Sequence, residues 1–470
     1  MTEKIPNPRC LVFDLGAGSG RAIIATCADG RLELTELHRF SGYEVRLADG
    51  PGWDMEAIRA GIRTGLRLAA EAGGVSSIAV DGWGVDFGII DAGGILVDDP
   101  RTYRHPRGAK GFEALSPLHG MIGQRTGVQV LPIISVFHLY QWAKTHAGQL
   151  AASHRFLMIA DLIAFELSGV AASERTLART SGLLNAKTGD WDEAILAAAD
   201  LPRHLFGPVV PAGTVLGTLR PELAVDSGLG AVPVIASAAH DTASAAFALA
   251  PGPGEAFAIG GSWSIFGVDV PEDFPLDAPV AAGFGLEGGI GGRAILTRSL
   301  PGLFLIRRLR DAWEKRCGER VDFPDIAARA AVAVSDLPVL DTGDPLFFDP
   351  ADMLEAMERF DPAFKELELG ALALALYLGL AKQAAACIDQ LSILQGGPIH
   401  RIKLGGGAVR DETFCQCLAT ACGRPVVADL IEASAVGNAL IQFMATGLIA
   451  SPDAARSLVS ASFQARVWLP

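Results

Sequence analysis

The sequence predicts an α/β protein of two domains, and three observations carry that expectation. A chain of 470 residues with 50% hydrophobic content holds material for two cores, because single cores stop growing near ~250–300 residues. Two strand–glycine turn–strand patterns, at residues 10–28 and 255–270, lie about half a chain apart. The clearest linker, Pro251-Gly-Pro-Gly254, falls just before the second pattern. The expected division is therefore 1–250 and 251–470.

The first pattern reads Cys10-Leu-Val-Phe-Asp14-Leu-Gly16-Ala-Gly18-Ser19-Gly-Arg21. An apolar run before Gly-x-Gly can open a dinucleotide-binding unit, but only if a helix follows. Here the chain continues through a β-compatible run at 22–27, an Asp29-Gly30 turn, and an alternating apolar and polar run at 32–37. That is a hairpin. A glycine turn entered by Asp14 and left by Arg21 suits phosphate and magnesium: backbone N–H groups ring an anion while the carboxylate holds a hydrated Mg²⁺. The bland alternative is a tight turn in which Asp14 and Arg21 merely pair.

Next comes Asp81-Gly-Trp83-Gly-Val-Asp86-Phe-Gly-Ile-Ile90. Strict alternation would send Trp83 and Asp86 to opposite faces of a strand. A bulge or strand end at Gly84 is needed if both are to enter one pocket. Helical patterns follow at 136–144 and 157–167, and residues 208–221, rich in Pro and Gly, read as a connecting loop. The apolar run 231–236 is a strand, and Ala239-His240-Asp241-Thr242 opens a helix. Asp241 there can cap the helix. Beside phosphate turns it suits a catalytic base, since phosphoryl transfer needs an oriented hydroxyl, a carboxylate to take its proton, and a metal on the phosphates.

The second hairpin turns at Gly260-Gly261-Ser262, followed by Trp263, and a further glycine cluster lies at Gly405-Gly406-Gly407. The apolar stretch 367–381 is shorter than the ~20 residues of a membrane span and reads as a core helix. Helices are also expected around 413–420 and 433–445.

Taken together, Asp14-Leu-Gly-Ala-Gly-Ser-Gly-Arg21, Ala239-His-Asp-Thr-Ala-Ser-Ala245, Gly261-Ser-Trp-Ser264 and Gly405-Gly-Gly407 resemble, in order and separation, the landmarks of the FGGY carbohydrate kinases. Asp81-Gly-Trp-Gly-Val-Asp-Phe87, Tyr103-Arg104 and Trp263 resemble the rhamnulokinase-like members in particular. The resemblance implies two actin-like, ribonuclease-H-like domains of the sugar kinase/Hsp70/actin superfamily, with ATP and sugar in an interdomain cleft. It implies ATP-dependent transfer of the γ-phosphate to a ketose such as L-rhamnulose at O1, with L-fuculose and D-xylulose as alternatives. A non-catalytic sugar-binding member of the same fold is a further alternative, against which Asp241 speaks.

The roles that follow place Asp241 as base and Asp14 at the metal. Gly16, Gly18, Ser19, Arg21, Gly260, Gly261, Ser262, Gly405, Gly406 and Gly407 fall on the ATP side. Trp83, Asp86, Arg104, His105, His240 and Asp241 fall on the sugar side. Two departures stand out. The chain has Tyr103-Arg104-His105 where rhamnulokinases usually read Tyr-Arg-Asp, and the loop after Gly407 is one residue longer than usual.

Net charge −14 argues against a nucleic-acid partner. The seven cysteines include no CxxC pair, and Cys415-x-Cys417 reads as buried thiol rather than metal site. Residues 1–6 lack the apolar region of a secretory signal. The expectation is a cytoplasmic monomer or homodimer with no membrane partner.

Overall fold

Six strands form the first sheet: β1 (Arg9–Leu15), β2 (Ser19–Ala28), β3 (Arg31–Ser41), β4 (Ile78–Gly82), β5 (Thr214–Thr218) and β6 (Pro233–His240). They lie in the order β5–β6–β4–β1–β2–β3. The hairpins β1–β2 and β2–β3 are antiparallel, β1, β4 and β6 run parallel, and β5 closes the edge antiparallel to β6. Being central, β1 is buried on both faces, which is why it reads as an unbroken apolar run. The computed structural model that shows this describes residues 8–334, 336–348 and 350–470.

Helix α1 (Met55–Glu71) presents Met55, Ile58, Ile62, Leu66 and Ala69 inward at helical spacing. Asp54 caps it by accepting the Ala57 N–H at 2.9 Å. Helix α2 (Asp241–Leu249) follows directly on β6.

The second sheet has seven strands, six of which are β7 (Glu255–Gly260), β8 (Trp263–Pro271), β9 (Arg293–Pro301), β10 (Arg401–Gly405), β11 (Val426–Leu430) and β12 (Arg466–Trp468). Their order is β9–β8–β7–β10–β11–β12. Again the hairpin β7–β8 is antiparallel, β7, β10 and β11 run parallel, and β12 closes antiparallel. One topology therefore occurs twice, as the two glycine hairpins suggest. The helices α3 (Leu369–Leu394) and α4 (Ala433–Ala445) flank β10 and β11 in sequence. Among the described residues α3 is long and apolar enough to cross a membrane by length and composition, but 61% of its most apolar window is buried in protein.

Contacts divide the chain into two units. The first takes Met1–Ala248, Val270–Ile295 and Ser434–Ser462; the second takes Leu249–Asp269, Leu296–Ala433 and Phe463–Pro470. Neither is one stretch of sequence: nearly all of α4 packs with the first unit although it follows β11 of the second. Gly437 makes this possible, because a Cβ there would run into the Ser244 carbonyl of α2.

Two expectations need correction. The segment 208–221 is not only a loop, since it contains β5, which finds its partner on the edge of β6. The helix expected from 157 begins at Ile159; residues Ser153–Met158 form a strand paired with Phe87–Asp91. Residues 81–90 form two strand segments broken between Gly82 and Phe87, which is the strand end around Gly84 that a shared pocket for Trp83 and Asp86 requires.

Candidate active site

Parallel strands end together, so their C-terminal residues converge. Register pairs Asp14 of β1 with Asp81 of β4, and Gly82 with His240 of β6, the residue before Asp241. Three carboxylates thus gather at one edge of the first sheet, where open α/β sheets commonly bind ligands.

Asp14 is buried. Its Oδ2 accepts from the Arg21 guanidinium and from Ser434 Oγ, the latter at 2.9 Å. Between Asp14 and Arg21 the turn is closed by the Gly16 N–H on the Ser19 carbonyl at 3.0 Å, leaving Gly18 exposed. Tyr43 donates its hydroxyl to the Gly16 carbonyl.

Asp81 is fully buried, and Asn438 Nδ2 donates to its Oδ2 at 2.6 Å. Its Oδ1 accepts no hydrogen bond among the described residues. Burial, then the neighbouring Asp14 charge, push the Asp81 carboxyl well above the usual carboxylate range. Gln442, one turn on, donates to the Leu11 carbonyl at 3.0 Å and to Asn438 Oδ1 at 2.8 Å, and accepts from Ser77 at 2.7 Å. Ser434, Asn438 and Gln442 therefore form a polar stripe at i, i+4 and i+8 on an otherwise apolar helix.

Asp241 opens α2, where its Oδ1 accepts its neighbour's N–H, that of Thr242, at 2.6 Å. Burial raises its carboxyl to about 6, against the opposing pull of His240. The His240 imidazole stands between two carboxylates, with Nε2 at 3.5 Å from Asp241 and Nδ1 at 3.2 Å from Glu287. Burial alone would lower its proton affinity, but Glu287 and then Asp241 outweigh that and the net direction is upward. The backbone of this turn is anchored by buried Glu174, whose Oε2 accepts the Ala239 N–H at 3.0 Å, and by Thr176 Oγ1, which accepts the His240 N–H at 3.3 Å.

Trp83 and Asp86 do meet. Trp83 Nε1 and Trp53 Nε1 both donate to Asp86 Oδ2, at 2.8 and 2.7 Å. The indoles lie 4.6 Å apart, and Tyr43 stacks on Trp83 at 6.2 Å. Burial raises the Asp86 carboxyl to about 7, more than the two indole bonds lower it.

His105 does not fit the sugar-side role expected of it. Its Nε2 meets the Asp49 carbonyl at 3.0 Å and its Nδ1 accepts the Arg107 N–H at 3.1 Å, so both ring nitrogens are used on the backbone. Packed beneath Gly50, it shapes the loop rather than offering a polar atom. Arg104 is half exposed, lies over the Tyr103 ring and stands 3.6 Å from Glu44.

In the second unit the glycine turns end neighbouring parallel strands, with Ile259 of β7 in register with Gly405 of β10. Gly406 has φ +83°, and a Cβ there would lie 2.6 Å from the Gly260 carbonyl, so only glycine serves. Gly260-Gly261-Ser262 and Gly405-Gly406-Gly407 are thereby brought side by side, with Ser262 and Gly407 exposed. Trp263 is 38% exposed and rests against Phe304 and Phe348, at 5.4 and 5.8 Å.

Two family descriptions match this chain: the N-terminal domain of the FGGY family of carbohydrate kinases over residues 10–248, and its C-terminal domain over 256–446. The chain belongs to the FGGY family of carbohydrate kinases. This FGGY kinase is 32% identical to a rhamnulokinase of Bacteroides thetaiotaomicron, covering 97% of this chain and 95% of that one. It is 30% identical to a rhamnulokinase of Halalkalibacterium halodurans, covering 98% of each. Its fold matches a gluconate kinase from Lactobacillus acidophilus at TM-score 0.81 and 14% identity, over 99% and 94% of the two chains. A Plasmodium falciparum glycerol kinase with ADP matches at TM-score 0.79 and 15% identity, over 98% and 94%. Those likenesses place it in the two-domain actin-like fold. It is an ATP-dependent sugar kinase, a phosphotransferase with an alcohol acceptor.

Sequence reasoning missed Asp81 as a member of the carboxylate group, and Glu174, Glu287, Ser434, Asn438 and Gln442 as its supports. The polar i, i+4, i+8 stripe in an apolar helix was the signal for the last three.

Proposed function

We propose that this kinase phosphorylates a ketose, L-rhamnulose or a close relative, at its primary O1. The observation that carries this is the grouping, in one unit, of Asp241 with Asp14 and Asp81 at adjacent strand ends and of a Trp83–Asp86 pair on the same chain segment as Asp81. Similarity to rhamnulokinases supports the choice of sugar.

Asp241, raised to about 6, is a carboxylate at neutral pH and holds a higher proton affinity than an ordinary aspartate. It takes the O1 proton as O1 forms its bond to the γ-phosphorus and the bond to the β–γ bridging oxygen breaks, releasing ADP. The His240 ring, pinned by Glu287, keeps positive charge beside Asp241 and presents one edge to the sugar. Trp83, buried but for 6% and stacked on one side by Tyr43, offers its remaining apolar surface to sugar C–H groups, and Asp86 accepts a hydroxyl. Arg104, at the exposed rim, is available to the far end of the substrate.

The exposed turn at Gly16, Gly18 and Ser19, with Arg21, is assigned to phosphate. The turns at Gly260–Ser262 and Gly405–Gly407 are likewise assigned to nucleotide. The donor set fits magnesium: Asp14 with the orphaned Oδ1 of Asp81 nearby supplies few protein ligands, as suits an ion that keeps waters and phosphate oxygens. Bound there, Mg²⁺ would neutralise charge developing on the phosphates. Consumption of ATP fits a cytoplasmic site of action.

An ADP-release assay over a panel of ketoses at fixed Mg-ATP tests the reading, with phosphorus-coupled NMR of the product placing the ester. Fastest turnover of L-rhamnulose or a near relative to a 1-phosphate is expected. Phosphate on a ring secondary carbon would overturn the assigned pose while leaving kinase activity intact.

A further inference from the structure

Val85 has φ +70°, a conformation that β-branched residues rarely adopt. The Asp86 N–H reaches back to the Gly84 carbonyl at 2.9 Å, so Val85 is the centre of a three-residue γ-turn, a rare and strained form at positive φ. Strain of this kind persists only where the surroundings over-determine it. Here they do. The Val85 N–H is held by Thr180 Oγ1 at 3.0 Å, and Thr180 is itself fixed by donating to the Leu177 carbonyl at 2.8 Å. The Val85 carbonyl accepts from fully buried Ser135 at 2.6 Å. The Asp86 carbonyl then accepts the Ile159 N–H at 3.0 Å. Three separate segments therefore grip one turn.

The turn changes what the strand presents. An extended chain would point Trp83 and Asp86 apart; the reversal at Val85 returns the Asp86 carboxylate onto the indole N–H of Trp83 and of Trp53. One oxygen, Oδ2, takes both, while Oδ1 accepts no hydrogen bond among the described residues. The placement of the Asp86 carboxylate against the two indoles, and the direction of its remaining oxygen, thus follow from the turn at Val85.

We propose that the Val85 turn, clamped by Thr180 and Ser135, is the positioning device that sets sugar selectivity in this kinase. Thr180 and Ser135 are positioning residues: they act on the sugar through Trp83 and Asp86. The inference rests on the reading that Trp83 and Asp86 face the sugar. Its substrate class is a ketose with an apolar C–H face for Trp83 and one hydroxyl directed at Asp86 Oδ1.

The test is steady-state kinetics of the full chain over a ketose panel. Thr180→Val keeps shape but removes the acceptor, and Thr180→Ser keeps it; Ser135→Ala removes the opposite clamp from a different helix. Thr180→Val and Ser135→Ala should each raise the KM of the preferred ketose about tenfold, the worth of one lost buried bond. They should also flatten preference among ketoses, with kcat and the KM of ATP held within about twofold. Thr180→Ser should restore both KM and preference. Val85→Gly in the Thr180→Val background should recover much of the loss, because glycine takes positive φ without a clamp. Unchanged ketose KM and preference in both clamp variants, with Asp86→Asn raising that KM, would overturn the device and leave the sugar site standing. An unchanged KM in Asp86→Asn as well would overturn the sugar-site reading and the device with it.

Discussion

Asp86→Asn should make the protein more stable and a worse enzyme. The wild-type carboxyl is 3% exposed and is raised from the ordinary 3.8 to about 7, burial being the main cause. Between pH ~4 and ~7 the native state keeps a proton that the unfolded chain has released. Stability therefore falls as pH rises through that window and is flat above it. The penalty is about 4 kcal/mol at pH 8 and about 2 kcal/mol at pH 5. Asparagine keeps an oxygen for the Trp53 and Trp83 indoles but carries no charge, so it removes the penalty. Urea unfolding followed by tryptophan fluorescence, at pH 5 and pH 8, measures the difference between variant and wild type. The gain should be larger at pH 8 by about 2–3 kcal/mol, while the sugar KM rises. A gain that is absent at pH 8, or the same at both pH values, rules out a buried charge penalty at Asp86.

Asp241→Asn should lower kcat by about 10²–10⁴-fold while ATP binding stays near normal; near-normal turnover would remove Asp241 from the chemistry. In the wild type, kcat/KM should fall below pH ~6 as the base is protonated, following the upward direction of its proton affinity. Asp14→Ala should shift the Mg²⁺ activation curve to much higher concentration, and an unmoved curve counts against that role. Asn438→Ala strips Asp81 and Gln442 of a buried partner and should cost about 2–3 kcal/mol in denaturant unfolding; a loss under ~0.5 kcal/mol would show the stripe to be dispensable.

Local chemistry was legible in the sequence; distant chemistry was not. Asp14, the glycine turns and Asp241 sit at strand ends, where a short run of residues specifies both the turn and its donors. The supports of those groups come from far along the chain: Asn438 reaches Asp81 across 357 residues and Ser434 reaches Asp14 across 420. The polar stripe at 434, 438 and 442 marks these residues as a buried face, but no local period encodes which groups they meet. The Trp83–Asp86 pair shows an intermediate case. Alternation correctly implies a break, but its centre is Val85 rather than Gly84, at a φ that bonds from distant Thr180 and Ser135 hold in place. His105 misled because an unusual residue in a site motif suggests a ligand contact. In the fold its ring replaces backbone partners at Asp49 and Arg107, which a sequence cannot show.

The stripe on α4 has a consequence for dissection of the chain. A fragment of residues 1–250 ends where the linker suggests a boundary, yet it lacks both the Val270–Ile295 and the Ser434–Ser462 segments that pack with the first unit. Without the latter, Asp81 Oδ2, the Leu11 carbonyl and Ser77 Oγ exchange their partners for water. Each lost bond costs about 0.5–1.5 kcal/mol net, and the apolar surface that α4 covers is bared to solvent besides. Whole-domain stability is only about 5–15 kcal/mol, so the sum reaches the range that abolishes folding. Fragment 1–250 should therefore show weak near-ultraviolet circular dichroism and no cooperative unfolding transition. Supplying residues 270–295 and 434–462 through flexible linkers, in place of the second unit, should restore both. A fragment 1–250 that unfolds cooperatively with native-like near-ultraviolet signal would show that the polar stripe decorates a self-sufficient sheet and does not complete it.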